Sequence, residues 1–312
     1  MSPPAGRMRS HTAPFVSVVI PVLNGKQTIR DCLVSLLRME YPQEGREILV
    51  VDNGSTDGTE EIVRRFPVRY LWEGRRGLSY ARNRGIEASK GEIVASLDAD
   101  CVATTGWLRE LVRGFDRDEV GVVVGEVVAY PPRTPAERYT AVRKPLWQTR
   151  SISYPGSPWF NLGNAAVSRK VFDRIGLLDP RFAGTACEDI DFGWRFFRDR
   201  GFGLSHCPKA VVFHRHRMTA GQLFKQYRGY GHGQAILWHK YPKELRWDWR
   251  LELKAHGDLL LTAWDFSRAA VRSKMRGGET AECSYFYLEL VRKLGERIGF
   301  INGTFRRAPG FG

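Results

Sequence analysis

Apolar and polar positions follow two alternating periods along the first hundred residues of the chain. Short β-branched runs that predict strands cover Val16–Val22 and residues 47 to 52, 68 to 72 and 92 to 98. Apolar residues at helical spacing lie between them, at residues 29 to 37, 59 to 66 and 77 to 89. Strands that alternate with helices of this length predict an α/β fold with a mostly parallel sheet flanked by helices.

The later part of the chain has a less regular pattern. We predict helices at residues 105 to 116, 168 to 175 and 188 to 200, a strand at 120 to 130, and one or two strands within 203 to 214. Residues 136 to 160 have no clear period, and we expect them to cover the ligand crevice. Beyond residue 214 the pattern is helical, with apolar stripes at Leu223, Tyr227, Tyr230 and Leu237 and at Phe286, Leu290, Leu294 and Ile298.

Composition favours an ordinary folded enzyme. The chain has 312 residues, 43% of them hydrophobic, with nine Trp and 17 Phe, which is enough to bury a large core. Five Cys without a CxxC spacing suit a reducing compartment, so we predict a cytoplasmic protein. No stretch reaches 18 uninterrupted apolar residues, and we expect neither a signal peptide nor a transmembrane span.

The chain is strongly basic, with a formal net charge of +14, and much of the excess lies after residue 214. Such a surface favours phosphates, nucleic acid or anionic lipid headgroups, although a solvated basic face without a specific partner is the alternative. The two late apolar stripes are typical of core. Because Lys225, Arg228, Arg292 and Lys293 lie beside them, peripheral contact with an anionic membrane is a second hypothesis.

Acidic residues follow two of the predicted strands. Asp98 and Asp100 follow the run at residues 93 to 97, and Asp52 ends the strand at residues 47 to 52. In an extended segment the side chains at i and i+2 point the same way, so both carboxylates can reach one Mg²⁺ or Mn²⁺ that holds a diphosphate. Asp52 would accept a hydrogen bond from a nucleobase N–H, unless its Asp-Asn-Gly segment is only a turn.

Three further motifs carry candidate chemistry. Residues 75 to 85, which include Arg82 and Asn83, bring basic side chains to a predicted helix start that suits an anionic ligand. Glu188, Asp189 and Asp191 lie at another helix start, where acids either cap the helix or serve as a general base. His214 and His216 end a strand, and we favour His214 as a third metal ligand.

In this order the motifs resemble the family 2 glycosyltransferases with a GT-A fold, over roughly residues 15 to 240. The matching segments are VSVVIPVLNG, ILVVDNGSTDGT, RGLSYARNRGI, IVASLDADC, FNLGNAAVSRKVFDRIGLLD, CEDIDFGWR and VVFHRHR. The resemblance implies that Asp189, with Glu188 in support, is the catalytic base, and that Asp98, Asp100 and His214 hold the metal. It implies a nucleotide-sugar site made of Pro21, Asn24, Asp52, Asn53, Arg82, Asn83, Asp98, Gly163 and Asn164.

The resemblance also implies an inverting transfer of one sugar from a UDP-, GDP- or dTDP-linked donor. The QxxRW motif of processive synthases is absent, so polymer extrusion is not expected. We expect a saccharide or lipid-linked acceptor of the cell envelope or an exopolysaccharide, met at the cytoplasmic face of the membrane. The predicted domains are a disordered tail (1 to 14), a catalytic domain (15 to 217, with nucleotide and acceptor halves meeting at residue 100) and a basic helical region (218 to 312).

Two other functions stay open from the residues alone. A sugar nucleotidyltransferase also places acids and a metal at strand ends, but the loop PVLNGK at residues 21 to 26 is a poor version of its triphosphate-binding loop. A basic nucleic-acid-binding module would explain the charge and the tryptophans near Lys and Arg, Trp238, Trp247 and Trp249. No helix-turn-helix, zinc or RNP-like pattern supports it, and we expect no specific nucleic acid.

Overall fold

A computed structural model describes residues 13–144, 146, 148–153, 158–245, 248–278 and 280–305. Most of the predicted tail and Trp247 therefore lie outside the described residues. The strands are β1 Val16–Val22, β2 Arg46–Asp52, β3 Arg69–Trp72, β4 Ile93–Leu97, β5 Cys101–Ala103, β6 Val120–Ala129, β7 Asn164–Ser168 and β8 Gly203–His214. They form one sheet in the order β3-β2-β1-β4-β7-β6-β8-β5.

Helices connect these strands and follow the last of them. In the first two thirds of the chain they are α1 Ile29–Leu37, α2 Thr59–Val63, α3 Leu78–Ala88, α4 Trp107–Arg113, α5 Pro135–Arg143, α6 Gln148–Ile152, α7 Arg169–Ile175 and α8 Glu188–Asp199. Three long helices follow, α9 Ala220–Lys240, α10 Trp249–Met275 and α11 Ala281–Phe305. The α/β class predicted from the pattern is confirmed, including each strand of the first hundred residues.

The sheet has a parallel half and an antiparallel half. Strand β1 pairs in parallel with β2 and β4, and β2 pairs in parallel with β3. Strand β7 runs antiparallel to both β4 and β6, and β5 runs antiparallel to β8. The hydrophobic pattern did not predict β5 or β7, because each is short and directly follows a turn. The carboxyl ends of β1, β2 and β4 meet at one edge, as parallel pairing requires.

Alternating side chains of β1 supply cores on both faces of the sheet. Val16, Val18, Ile20 and Val22 belong to one buried cluster, together with apolar residues of α1 and α4. Val19 belongs to the other, which includes residues of α3, α7 and α8. Because neighbouring residues of a strand face opposite sides, a strand such as β1, in which Ser17 is the one polar residue, is buried on both faces. Helices packed against both faces of the sheet thus hold the strand ends in place.

The chain divides into two compact units. Unit 1 comprises Met1–Val128, Leu146–Pro180 and Asp189–His214, and unit 2 comprises Ala129–Pro145, Arg181–Glu188 and Arg215–Gly312. Unit 1 contains the sheet except for Ala129 at the end of β6, and it contains Asp52, Asp98, Asp100, Asp189 and Asp191, whereas Glu188 belongs to the mainly helical unit 2. The domain boundaries drawn from the sequence stay predictions, and unit 2 contains two earlier segments that the sequence pattern did not join to the C-terminal helices.

Within unit 2, glycines bring α9 and α11 into close contact. A Cβ atom at Gly231 would collide with the Glu296 carbonyl, and one at Gly299 would collide with the Arg228 carbonyl. Leu223 and Tyr227, from the predicted stripe on α9, are buried together with Leu288. Those two α9 side chains are therefore core and are not available to a membrane. In the described part of the chain, no helix has both the length and the hydropathy needed to cross a membrane.

Candidate active site

Asp98 and Asp100 lie in a turn between β4 and β5, so the expectation of an extended segment is wrong. The backbone N–H of Cys101 donates to the Asp98 carbonyl at 3.0 Å and closes the turn. The chain must turn here because β5 leaves β4 to pair with β8 at another place in the sheet. Both carboxylates remain accessible, with 27% of the Asp98 side chain and 17% of the Asp100 side chain exposed.

The pairing of β5 with β8 brings His214 to this turn. Cys101 lies opposite His214 in the antiparallel register, and the His214 Nε2 atom is 3.3 Å from Asp100 Oδ1. His214 is buried at the end of β8, whereas His216 lies beyond the strand. The structure therefore brings the preferred histidine beside the second aspartate, although the two are more than a hundred residues apart in the sequence.

The donor atoms beside this turn fit a small hard cation. Ligand atoms of Asp100, Cys101 and His214 all lie within 4.8 Å of one another. Adjacent ligands of an octahedral Mg²⁺, each about 2.1 Å from the ion, lie about 3 Å apart, close to the Asp100–His214 separation. Burial raises the pKa of the Cys101 thiol well above its ordinary value, and Asp100 and Asp98 raise it further. Of the predicted metal ligands, Asp100 and His214 belong to this group of three residues and Asp98 does not.

Asp98 is held from two sides. The Arg82 guanidinium, buried on α3, donates to Asp98 Oδ1 at 2.9 Å. Gly163 lies against the other side, where a Cβ atom would collide with Asp98 Oδ2 and lie 2.8 Å from Asn161 Oδ1. Arg82 and Gly163 were both predicted as donor-site residues, and the structure brings both to the acidic turn. Only a glycine allows the chain at residue 163 to approach the carboxylate this closely.

Asp52 lies at the end of β2, buried with 2% exposure. Its Oδ1 accepts from the Ser55 backbone N–H at 2.8 Å, and its Oδ2 accepts from the Tyr70 hydroxyl at 3.2 Å. Burial raises the pKa of Tyr70, and the Asp52 charge raises it further. Asp52 thus orders the loop after β2. Contact between its carboxylate and a nucleobase stays a prediction.

Asn24 and Pro21 flank this loop from β1. Asn24 is exposed with a positive φ of 54°, and its side-chain oxygen accepts from the Thr56 backbone N–H at 2.9 Å. Pro21 is buried within β1 opposite Val51. Asn24 is therefore the more accessible of the two predicted donor contacts at this strand end.

Asn53 and Asn83 have structural hydrogen bonds that the sequence did not reveal. The Asn53 amide donates to the carbonyls of Glu73 and Arg75, and its oxygen accepts from the Gly77 N–H, at 2.7 to 3.1 Å. The Asn83 amide exchanges two hydrogen bonds with the Leu178 backbone, at 2.8 and 3.0 Å. The Asn53 side chain therefore anchors the loop through both amide hydrogens and the oxygen, and its contact with the donor stays a prediction.

Asn164, another predicted donor-site residue, also has internal hydrogen bonds. Its side chain is fully buried at the start of β7. The amide donates to the carbonyls of Glu126 and Ala210 at 2.9 and 3.0 Å, and the oxygen accepts from the Trp107 indole N–H at 2.7 Å. Both amide hydrogens and the oxygen of Asn164 thus have partners inside the sheet, and its contact with the donor sugar stays a prediction.

The acids at the start of α8 are in different environments. Glu188 and Asp191 are buried, with 3% and 0% exposure, and Asp191 accepts from Arg195 Nε at 3.0 Å. Asp189 is only half-buried, and its Oδ1 accepts from the Ile190 backbone N–H at 2.9 Å. Among these three acids, Asp189 is therefore the most accessible to an acceptor substrate.

A rigid connection joins α8 to the acidic turn within unit 1. Phe192, one turn after Asp189, packs edge-to-face on Phe160 at a ring separation of 6.0 Å. Phe160 is fully buried and begins the segment that leads to Gly163, which lies against Asp98. The Arg82–Asp98 pair and the β5–β8 pairing were not predicted from the sequence. Each joins segments that are far apart in the chain, and short-range patterns give no information on such contacts.

Comparisons with known proteins agree with this architecture. The family model of glycosyl transferase family 2 matches residues 17–176. Glycosyltransferase AglE of Haloferax volcanii is 35% identical over 236 residues, covering 73% of this chain and 75% of the relative. The pre-mycofactocin glycosyltransferase of Mycobacterium tuberculosis is 30% identical over 237 residues, and the alignment spans only 48% of that longer protein.

A similar fold occurs among solved structures. The mannosyltransferase PcManGT from Pyrobaculum calidifontis, determined with GDP-Man and Mn²⁺, aligns with a TM-score of 0.57 and 18% identity. The alignment covers 98% of this chain and 91% of that one. At this identity the likeness establishes the fold alone. Together with the family match, it shows that the chain belongs to glycosyl transferase family 2 and is a glycosyltransferase with a GT-A fold.

Proposed function

We propose that the protein is an inverting, metal-dependent glycosyltransferase that moves one sugar from a nucleoside diphosphate sugar to an acceptor hydroxyl. The observation that carries the proposal is the approach of His214 to Asp100 beside the Arg82-bound Asp98. A carboxylate pair and an imidazole at a strand end suit a divalent cation and the diphosphate it would hold. Family membership favours glycosyl transfer over the nucleotidyl transfer that the acids alone also allow.

On the donor side, Asp98, Asp100 and His214 would hold Mg²⁺ or Mn²⁺. When bound, such an ion neutralises charge that develops on a departing nucleoside diphosphate. Arg82 fixes the orientation of Asp98, and Gly163 leaves space for that carboxylate. Asn24 and the loop ordered by Asp52 lie at the neighbouring strand ends and are our candidates for nucleoside contact. The Mn²⁺ and GDP-Man of the Pyrobaculum structure support this class of donor.

On the acceptor side, Asp189 is the proposed general base. Its half-buried carboxylate takes the proton from the acceptor hydroxyl, whose oxygen then attacks the anomeric carbon from the face opposite the diphosphate. That geometry inverts the configuration at the anomeric carbon. Glu188 and Asp191 are too buried to meet a substrate, and the Asp191–Arg195 pair holds the first turn of α8.

The acceptor class in this proposal is a saccharide or lipid-linked precursor of the cell envelope or an exopolysaccharide. The basic character of the last third supports an anionic partner, such as a lipid-linked phosphate at the cytoplasmic membrane face. Since pocket shape selects the sugar and the acceptor, both must be identified by experiment.

A donor screen followed by active-site variants tests the proposal. Thermal shift with Mn²⁺ and a panel of UDP-, GDP- and dTDP-sugars identifies the donor, because a bound donor raises the melting temperature. Release of nucleoside diphosphate is then measured for the wild type, Asp189→Asn and Asp100→Ala. Both variants should lose nearly all turnover, while Asp116→Asn, which removes an exposed carboxylate, should retain it. Unchanged turnover in both active-site variants would refute the mechanism.

A further inference from the structure

Helix α10 of unit 2 exposes a continuous apolar stripe. Six large apolar side chains along it are between 54% and 82% exposed: Trp249, Leu253, Leu260, Trp264, Val271 and Met275. They recur with alternating spacings of four and seven residues, which is an 11-residue repeat. A repeat of 11 residues closely matches three turns of an α-helix, so the stripe runs almost straight along the helix.

The stripe is narrow and long. At 3.6 residues per turn, the six side chains fall within an arc of about 80°, and the stripe extends about 39 Å along the helix axis. Its residues differ from the stripes that the sequence pattern singled out on α9 and α11. Leu223 and Tyr227 of α9 are buried, whereas the α10 residues face solvent within the described structure.

The opposite face of α10 is occupied by α11. Lys293 of α11 contacts Asp258 at 2.6 Å and Thr262 at 2.8 Å, and Arg297 forms an ion pair with Glu252. Thr262, Ala269 and Ser273 are buried on this side. Two of the acidic residues of α10, Glu252 and Asp258, are thus paired with cations of α11. The apolar side chains are left outside this packing.

Basic residues border the exposed stripe. Arg250, Lys254 and Arg268 lie within about 60° of one edge, and Lys274 lies close to the other edge. All four are exposed. An amphipathic helix with apolar residues at its centre and basic residues at its borders has the charge and shape that bind an anionic bilayer surface. A second copy of the chain would instead bring the two basic borders together.

We propose that the α10 stripe is a membrane-docking surface that lies in the plane of a bilayer containing anionic phospholipid. The six apolar side chains enter the boundary between headgroups and acyl chains, and the bordering Lys and Arg contact lipid phosphates. The charged face of α10, held by α11, stays on the aqueous side. This inference rests on α10 alone and does not depend on the proposed donor or catalytic chemistry.

Vesicle sedimentation tests the apolar part of the surface. The full chain is mixed, without donor or metal, with vesicles of phosphatidylcholine alone or of phosphatidylcholine and phosphatidylglycerol in equal parts. The wild type should bind the anionic vesicles, and Leu260→Ser with Trp264→Ser should bind at least about tenfold more weakly. The control, Val142→Ser with Met218→Ser, removes exposed apolar residues outside α10 and should bind like the wild type. Thermal melting confirms that each variant is folded.

The basic borders are tested separately. Lys254→Gln with Arg268→Gln should weaken binding to anionic vesicles severalfold. Added salt should reduce the difference in vesicle binding between this variant and the wild type. Arg38→Gln with Arg65→Gln removes the same charge from exposed positions in unit 1 and should leave binding unchanged. The proposal is overturned if the folded wild type does not bind, or if the stripe variant binds equally well. A wild-type dimer that the stripe variant dissociates would assign the surface to self-association instead.

Discussion

Each unit contains carboxylates that are paired with basic side chains. The two clusters differ in how many partners each carboxylate has and in how deeply it is buried. In unit 2, Glu289 accepts hydrogen bonds from Tyr139, from Arg143 at 3.0 Å and from Arg292 at 2.8 Å. In unit 1, Asp98 has Arg82 as a partner and Asp100 has His214. Only 10% of the Glu289 side chain is exposed, against 27% for Asp98.

This difference separates a structural cluster in unit 2 from the cluster that we propose to be catalytic in unit 1. Glu289 lies between two helices, and its charge is balanced by two guanidinium groups of the same unit. The aspartates of unit 1 lie at strand ends and retain accessible oxygen, and an imidazole is placed where a cation could be shared. Buried charge by itself therefore does not indicate a catalytic site, whereas the proposed metal site requires donor atoms that are accessible and close together. Substitutions in the two clusters should separate activity from stability.

The largest effect is expected from Asp100→Asn. Removing this carboxylate charge should lower kcat by about 10² to 10³, the range seen when one electrostatic contact to a transition state is lost. The free energy of unfolding should change little, since the side chain remains similar in shape. Steady-state kinetics and urea denaturation measure the two quantities. A variant that keeps full activity would place the diphosphate elsewhere.

Glu289→Gln should have the opposite effect to Asp100→Asn, with a loss of stability and little change in turnover. Breaking a buried ion cluster on one side costs about 3 to 5 kcal/mol in the free energy of unfolding, because the remaining guanidinium charges lose their partner. Turnover at a temperature where the variant is folded should stay near the wild-type value. Glu282→Gln, which removes an exposed partner of Arg272, should cost less than about 1 kcal/mol and serves as the control. If the two variants lose the same free energy of unfolding, the assignment of Glu289 to a buried ion cluster is wrong.

Acid should remove the Glu289 contribution selectively. Burial acts to raise the pKa of Glu289, but hydrogen bonds from Arg292 and Tyr139 prevail and lower it from its ordinary 4.5 to about 2. A carboxylate with a depressed pKa stabilises the fold fully above about pH 4.5, and that stabilisation is lost as the pH falls toward 2. The stability difference between wild type and Glu289→Gln should shrink across this window. A difference that is constant down to pH 2 would contradict the prediction.

Gly163→Ala should give the smallest of these effects. The added Cβ would collide with Asp98 Oδ2, so the carboxylate must shift and turnover should fall by about tenfold, with a modest cost in stability. Gly229→Ala on α9 meets nothing within 4 Å and should leave turnover unchanged. If Gly163→Ala is as active as this control, the close contact with Asp98 has no role in catalysis.

Sequence periodicity predicted the first four strands and helices α1 to α4, α7 and α8, because each is a continuous segment with its own pattern, but it did not predict α5 or α6. It did not predict β5 or β7, since strands of three and five residues carry too few positions to show a period. The same limit applies to the site. The aspartates and His214 could be selected by residue type and position at strand ends, but the internal bonds of Asn53 and Asn164 depend on backbone groups that only the folded chain brings near.

The α10 stripe shows a related limit. Apolar residues at helical spacing occur on α9, α10 and α11, and sequence alone gives no means of deciding which face is covered. Packing between α9 and α11 buries Leu223 and Tyr227 of the α9 stripe, whereas Leu294 and Ile298 of the α11 stripe and the α10 side chains stay exposed. Exposure is thus a property of the assembled unit rather than of the individual helix.

Direct measurement of Mn²⁺ binding tests the central claim, that Asp98, Asp100 and His214 hold the cation. Free Mn²⁺ is followed by electron paramagnetic resonance as protein and the donor's nucleoside diphosphate are added. The wild type and folded Glu289→Gln should bind one ion per chain with equal affinity, while Asp100→Asn and His214→Gln should bind at least about tenfold more weakly. Wild-type Mn²⁺ affinity in both site variants would contradict the account.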